Sequence, residues 1–463
     1  MRRLALFIIV AVGLSACAQV PIVNERQLLQ EAAGKQSIRV YGTRGPLSAR
    51  QAAKVLARVA AQAPNADALA RHLAVEQIVA KGPLYAGNSV RVLQDGAATF
   101  PAMFSTIAGA KHFLDIEYYI FQDVQSGGRD LGDLLVQKAR SGVQVRIIYD
   151  AVGSLGTPAA FYDKLRAGGV HLVQYNPINP LKARTHYSLN DRDHRKTLVA
   201  DDEIGIVGGV NLSTDYESAP SLHPGVAKTP SPSGHPVWHD TDLEIRGPVV
   251  PQLSRLFDAH WREQKGPPIA PVTPPAKRVW GTQIVRVIGS SPAKLKTRYY
   301  TTVLTAVRTA QTSVWMTAAY FVPTHQELRT LKRAAARGVD VRIILPSESD
   351  EPEVLAVQRS YYAGLLRAGI KVYERQAGIM HSKTMVVDGV WSLVGSSNFD
   401  QRSILFNDEV DVVVLGSAAA SALQKGMEAD MQHARRIDSK FVHQQGIGQH
   451  TKAWFWRLWQ RLL

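Results

Sequence analysis

The chain has 463 residues, 45% of them hydrophobic and 20% charged, which excludes disorder, collagen and small stapled scaffolds and is enough for several buried cores. Its 54 Lys and Arg against 39 Asp and Glu give a formal charge of +15, so its surface attracts phosphate-bearing partners, nucleic acid and anionic lipid alike. A single cysteine excludes a disulfide framework and any multi-cysteine metal site.

The first element is an address. Arg2-Arg3, an apolar run from Leu4 to Leu14 and then Ser15-Ala16-Cys17 form a basic region, an apolar region and a small-residue cleavage site. The run is too short for the roughly 20 residues of a spanning helix. The segment resembles a bacterial lipoprotein signal, which implies removal of residues 1–16 and lipidation of Cys17 on the periplasmic face of the envelope. Ala18, where an inner-membrane retention signal carries Asp, favours the outer membrane. The competing reading is a plain secretory signal with an incidental cysteine.

Residues 17–85 are expected to form an N-terminal helical region. No firm periodicity is legible over 18–47, whereas Val55, Leu56 and Val59, then Leu69, Leu73 and Ile78, recur at helical spacing behind caps Ser48 and Asn65. These read as two packing helices without recognisable chemistry. Residues 264–278 carry five prolines, favour extended polyproline II and read as a semi-rigid linker. The linker divides two similar segments, 86–263 and 279–440, and a tail follows over 441–463. Ala139-Arg140-Ser141-Gly142-Val143-Gln144-Val145-Arg146-Ile147-Ile148 is answered by Ala336-Arg337-Gly338-Val339-Asp340-Val341-Arg342-Ile343-Ile344, and Leu165-Arg166-Ala167-Gly168-Gly169-Val170 by Leu366-Arg367-Ala368-Gly369-Ile370. Helix ends followed by buried strands predict an α/β sandwich in each half, the two related by a pseudo-twofold axis with a shared cleft.

A five-residue constellation is repeated too. His194, Lys196, Asp201, Gly208 and Asn211 recur as His381, Lys383, Asp388, Gly395 and Asn398, every pair offset by 187 positions. His450-Thr451-Lys452 has the same His-to-Lys spacing but Arg457 where Asp is required, so it is chance. On a strand, residues two apart share a face, which groups His194 with Lys196 and His381 with Lys383. Asp201 and Asp388 are counted with the catalytic set as motif members, although their odd offset points to bracing a turn. Asn211 and Asn398 would bring amides to the same pocket.

Such a pocket suits attack on a phosphodiester without metal or cofactor. One neutral His attacks phosphorus while the other, protonated, supplies the leaving oxygen with a proton. Lys196, Lys383, Asn211 and Asn398 bind the phosphate oxygens as charge develops. Asp240-Thr241-Asp242-Leu243-Glu244-Ile245 parallels Glu409-Val410-Asp411-Val412-Val413-Val414, which nominates Asp240 and Glu409 as acids that orient the histidines.

The doubled His-x-Lys-x4-Asp pattern resembles the phospholipase D superfamily over roughly residues 90–440. Asp193-His194-Arg195-Lys196, Gly208-Gly209-Val210-Asn211, Trp238-His239-Asp240-Thr241, Asn398-Phe399-Asp400-Gln401-Arg402-Ser403 and Asn407-Asp408-Glu409 look most like bacterial cardiolipin synthases. The resemblance implies a phosphatidyl group passed through a histidine adduct to an alcohol, joining phosphatidylglycerols or related lipids into cardiolipin. It also implies His194 as nucleophile and His381 as general acid.

The best-known synthases of this type begin with membrane-spanning helices, whereas this chain begins with a lipoprotein-like signal. Its first half also carries two insertions. Residues 175–190, with Lys182, Arg184 and Tyr187, could grip a headgroup; residues 218–237, with His223 and His235, could form a lid or a surface loop. In the tail, Phe455, Leu458, Trp459 and Leu462 share one helical face, flanked by Trp454, Trp456 and Leu463 and opposed by Arg457 and Arg461. This describes an interfacial helix or a terminal helix docked on its own domain. The expected partners are an anionic phospholipid substrate and a membrane surface, with no obligate protein partner. Competing functions are a phospholipase D hydrolase releasing phosphatidic acid, a secreted nuclease of the same superfamily, which the basic charge favours, and a catalytically dead lipid-binding lipoprotein.

Overall fold

The computed structural model describes residues 19–33, 38–79, 82–183, 187–188, 190–216, 238–291, 298–376, 378–445, 447–459 and 461. The signal segment with Cys17, Arg184, and the 218–237 insertion with His223 and His235 lie outside the described residues.

Each half is built on a mixed sheet with one strand order. In the first half the order is His171–Tyr175, Gln144–Asp150, Phe113–Tyr118, Lys196–Ala200, Ile204–Gly208, Thr241–Arg246 and Leu84–Gln94. In the second it is Lys371–Arg375, Asp340–Pro346, Ser313–Thr317, Thr384–Val387, Trp391–Gly395, Asn407–Leu415 and Gln283–Ser290. The first three strands of each run parallel and the rest antiparallel, so the repeated sequence folds to a repeated topology. Leu84–Gln94 also pairs with Gln283–Ser290, joining the sheets edge to edge.

Strand alternation explains how one segment serves two cores. Leu198 and Ala200 face helices of their own half, while Val199 joins Val207, Leu243 and Ile245 against Val386, Val394, Val410 and Val412 of the other half. Buried on both faces, Leu198-Val199-Ala200 and Met385-Val386-Val387 read as short unbroken apolar runs. The apolar layer between the sheets holds the halves face to face, and removing it from water is the main driving force for their association.

The N-terminal region contains more than the two expected helices. Ala49–Ala61 and Ala66–Val79 are helical; Ser48 and Gln51 form a reciprocal capping box, and Asn65 Oδ1 accepts from Ala68 N–H. Over 18–47, where periodicity was silent, lie a helix at Glu25–Ala33 and a hairpin of Val40–Gly42 and Gly45–Pro46. The hairpin pairs with Leu84–Gln94, which itself starts before the expected boundary at 86. A three-residue strand is too short to display a period, and its neighbour supplies the hydrogen bonds. The region packs on the second half: buried Glu76 pairs with buried Arg286 at 2.8 Å and accepts from Trp391 Nε1 at 2.8 Å.

Residues 264–278 do not span open solvent as a spacer. They strap along the first half, with Pro267 O accepting from Trp261 Nε1 at 3.1 Å and Ala270 O from Gln144 Nε2 at 2.9 Å. The tail helix Ile447–Arg457 docks on Pro352–Ser360. It does so with the arginine side: Trp456 packs against the second core and Arg457 lies 4.8 Å over the Tyr361 ring. Trp454, Phe455, Leu458 and Trp459 are left exposed. Among the described residues no helix is long and apolar enough to cross a membrane.

Candidate active site

The two histidines sit at the seam between the halves, each held by the other half's backbone. His194 follows the short strand Arg192–Asp193, which pairs in parallel with Asn407–Asp408, and its N–H donates to Asp408 O at 2.9 Å. His381 follows Ile379–Met380, which pairs in parallel with Trp238–His239, and its N–H donates to His239 O at 2.7 Å.

The two acids cross the seam as well. Glu409, from the second half, meets His194 Nδ1 with both carboxylate oxygens, at 3.0 and 3.1 Å. Asp240, from the first half, meets His381 Nδ1 at 2.8 Å. A carboxylate on Nδ1 keeps a proton there and turns Nε2 toward the pocket. Neither half therefore holds a complete histidine–acid pair by itself.

The acids are dressed differently. Glu409 accepts from Ser403 Oγ at 2.8 Å, from Asn407 Nδ2 at 3.2 Å and from Ser396 Oγ. Asp240 accepts from Thr241 N–H at 2.8 Å and from the Tyr216 hydroxyl at 3.4 Å, and that hydroxyl also lies 3.0 Å from His381 Nδ1. Position 396 is Ser, but its counterpart is Gly209, where a Cβ would run into Asp240 Oδ1. The motif glycines have the same cause: a Cβ at Gly208 would strike Asp242, and one at Gly395 would strike Asp411.

Lys196 and Lys383 are buried beside their histidines. Lys196 Nζ donates to His194 O at 2.7 Å and lies 5.4 Å over the Tyr119 ring; Lys383 Nζ donates to His381 O and lies 2.7 Å from His381 Nδ1. Asn211 Oδ1 accepts from Ile120 N–H at 3.3 Å, with its amide toward the Tyr216 hydroxyl. Asn398 is held by its own N–H, which donates to Ser403 Oγ at 3.0 Å.

Asp201 and Asp388 are corrected from catalytic to structural. Asp201 accepts from the N–H groups of Lys111, His112 and Phe113, each at 2.8 Å; Asp388 accepts from those of Gln311, Thr312 and Ser313, and His72 Nε2 lies 3.2 Å from it. Both have positive φ, 56° and 53°, a conformation aspartate tolerates in tight turns. Asp201 follows the strand Lys196–Ala200 and Asp388 follows Thr384–Val387, each five residues beyond its motif lysine. At about 3.3 Å per residue that is about 16 Å from the lysine.

Aromatic side chains that spacing did not single out wall the site. Tyr119 meets His194 edge-on with centroids 5.3 Å apart, Tyr320 meets His381 edge-on at 6.0 Å, and Trp238 lies 5.0 Å from His381. The Trp238-His239-Asp240 run contained one of these signals; Tyr119 and Tyr320, just past the strands Phe113–Tyr118 and Ser313–Thr317, had none. Tyr187 of the first insertion donates to Ile178 O at 3.2 Å.

Burial and lysine charge lower both histidines. Burial, then the charges of Lys196 and Lys383, hold His194 well below its ordinary value, so it is neutral. His381 is also lowered by burial and Lys383, but Asp240 opposes the fall. Burial likewise brings Lys196 down to about 7 and Lys383 to about 8, and raises Glu409 to about 7.

One further group, Glu117, Asp193 and His260, is close enough to ligate a cation. Its charge is already met from within, because Arg195 donates to Glu117 at 3.1 Å and to Asp408 at 3.4 Å, and His260 Nδ1 lies 2.6 Å from Glu117. The network anchors Arg195, the residue between His194 and Lys196.

Comparison with known proteins matches this architecture. The family model described as "Cardiolipin synthase, PLD-like domain" matches residues 103–219 and 303–431, one stretch in each half. Cardiolipin synthase A of Pseudomonas aeruginosa is 35% identical over 351 residues, covering 75% of this chain and 68% of that protein. The probable cardiolipin synthase YwiE of Bacillus subtilis is 32% identical over 390 residues, covering 81% and 72%. Among solved structures, phosphatidylserine synthase of Haemophilus influenzae aligns with a TM-score of 0.61 at 12% identity, over 84% of this chain and 99% of that one, a likeness of fold.

Proposed function

The chain belongs to the cardiolipin synthase family of phospholipase D-like proteins, and from that premise we propose that it is a phosphatidyltransferase that forms cardiolipin from phosphatidylglycerol or related phospholipids. The carrying observation is the exchange of acids across the seam, Glu409 on His194 and Asp240 on His381, which sets the two histidines into one site with a carboxylate behind each.

His194, kept neutral, attacks phosphorus through Nε2. The P–O bond to the leaving headgroup breaks, and His381 gives its Nε2 proton to the departing oxygen. An acceptor hydroxyl then attacks the phosphohistidine; its proton passes to His381, the P–N bond breaks and His194 returns as neutral imidazole. Lys196, Lys383, Asn211 and Asn398 hold the non-bridging oxygens through both steps. One phosphodiester replaces another, so no nucleotide is consumed.

Full-length protein given phosphatidylglycerol vesicles is expected to yield cardiolipin and glycerol, resolved by chromatography. Phosphatidic acid as the sole product would replace this reading with a hydrolase, and cleavage of DNA instead of lipid would replace it with a nuclease.

The proposed location is the outer side of the envelope, through lipidation of Cys17. Exposed Trp454, Phe455, Leu458 and Trp459 supply the second attachment that a lipid anchor needs for stable binding. Labelled palmitate is expected to enter the native chain in cells and to be lost in Cys17→Ser; equal labelling of the two would refute the anchor.

A further inference from the structure

The two rims of the pocket are chemically unlike although the halves repeat. In the first half the loop between Gln144–Asp150 and the helix Ala159–Ala167 reads Ala-Val-Gly-Ser-Leu-Gly-Thr-Pro, with no charged residue and with Val152 and Leu155 exposed. It lies at the His194 side, since Ser154 Oγ donates to Tyr119 O at 3.0 Å and the Tyr119 ring meets His194. The corresponding loop of the second half, between Asp340–Pro346 and Pro352–Ser360, reads Ser-Glu-Ser-Asp-Glu. Its Asp350 accepts from the Tyr320 hydroxyl with both oxygens, at 2.8 and 2.9 Å, and the Tyr320 ring stands edge-on to His381. The Asp350 charge is felt at His381, Lys383 and the Tyr216 hydroxyl, so it faces the pocket.

Substrates that bound the two sides alike would need like rims. The apolar rim suits the acylated side of the phosphatidyl group. The carboxylate beside His381 repels phosphate and accepts hydrogen bonds, and it stands where the leaving headgroup departs and the acceptor arrives. Among the described residues, besides Tyr320, the longer contact from Ser349 Oγ at 3.3 Å is the one that reaches this exposed carboxylate, which leaves lone pairs for a ligand.

We propose that Tyr320 and Asp350 form the headgroup subsite of the His381 side, which takes an alcohol carrying a second O–H or N–H donor next to the reacting oxygen and so favours transfer over hydrolysis. The proposal rests on the phosphatidyltransferase reading above. Asp350 accepts from the neighbouring donor, and the reacting oxygen is thereby held in line against water, which has no second group to be gripped by. The vicinal diol of a glycerol headgroup and the ammonium of an ethanolamine headgroup share this chemistry.

The test offers phosphatidylglycerol vesicles with labelled acyl chains and, as free acceptor carrying a second, distinct isotope label, glycerol, ethanolamine or propan-1-ol, which lacks the second donor; the second label entering lipid marks transfer, also where the product is phosphatidylglycerol itself. Transfer products are measured against phosphatidic acid. The full-length protein is expected to prefer a two-donor acceptor over propan-1-ol by about tenfold, the factor that one charge-assisted hydrogen bond supplies. Glycerol alone preferred assigns a diol subsite, ethanolamine alone an ammonium subsite, and both a general donor subsite. Asp350→Asn, and Tyr320→Phe, which frees Asp350 while keeping the ring, are expected to flatten the preference and raise the phosphatidic acid share. Because these are product ratios, they report the folded fraction whatever a variant's stability. An unchanged preference in both variants, or no preference in the parent, overturns the subsite. Phosphatidic acid alone from the parent with every acceptor overturns the transferase reading itself.

Discussion

Full-length protein with His194→Ala is expected to form neither cardiolipin nor a covalent phosphatidyl adduct, with turnover lower by at least about 10⁴-fold, because the proposed nucleophile is gone. His381→Ala is expected to lose about 10²–10⁴-fold, the worth of a positioned proton donor. It should still accumulate a labelled adduct on His194, since the adduct's discharge needs the missing base. Acid-lability of the trapped label identifies phosphohistidine, and digestion locates it. The asymmetry of the site drives the expectation: His194 has a carboxyl partner raised to about 7, whereas His381 is flanked by Asp240 and the Tyr216 hydroxyl. An adduct trapped in His194→Ala and absent from His381→Ala would exchange the two roles, and near-normal turnover in either variant would end the two-histidine mechanism.

Glu76→Ala is expected to destabilise the fold by about 3–5 kcal/mol, the cost of stripping one partner from a buried ion pair. Arg286 would keep its charge inside the protein at 1% exposure, with the carbonyl oxygens of residue 76 and Gly82 left to it among the described residues, and Trp391 Nε1 would lose its acceptor. Urea unfolding followed by tryptophan fluorescence measures this directly. A loss below about 1 kcal/mol would mean that the N-terminal helices are not integral to the second half. The His72 contact to Asp388 supports the integral reading, because it ties the same helix to the turn that closes the motif strand of the second half.

The failures of sequence reading have a common cause. His72 and Glu76 sit on a helix whose apolar spacing was legible, but polar residues within such a pattern look like a solvated face until a partner 210 positions away is seen. The tail was legible as amphipathic, yet which face docks was not: Arg457 lies over Tyr361, and the aromatic face is the one left bare. Asp201 and Asp388 are a different case: the motif's spacing put them with the catalytic set, but their odd offset already pointed to a turn, and their carboxylates are spent on backbone N–H groups there.

What the amino-acid order settled by itself was what is repeated: two α/β halves, a histidine and a lysine two positions apart in each, and Asp240 and Glu409 as matched acids. Those features depend on neighbours a few residues apart, or on a segment being copied whole. What only the tertiary structure decided was which acid serves which histidine and which rim each histidine faces. Those relations arise from strands paired across the seam, Arg192–Asp193 with Asn407–Asp408 and Trp238–His239 with Ile379–Met380. Pairing between distant segments is chosen by the packing of the whole apolar layer, so it leaves no spacing behind in the chain.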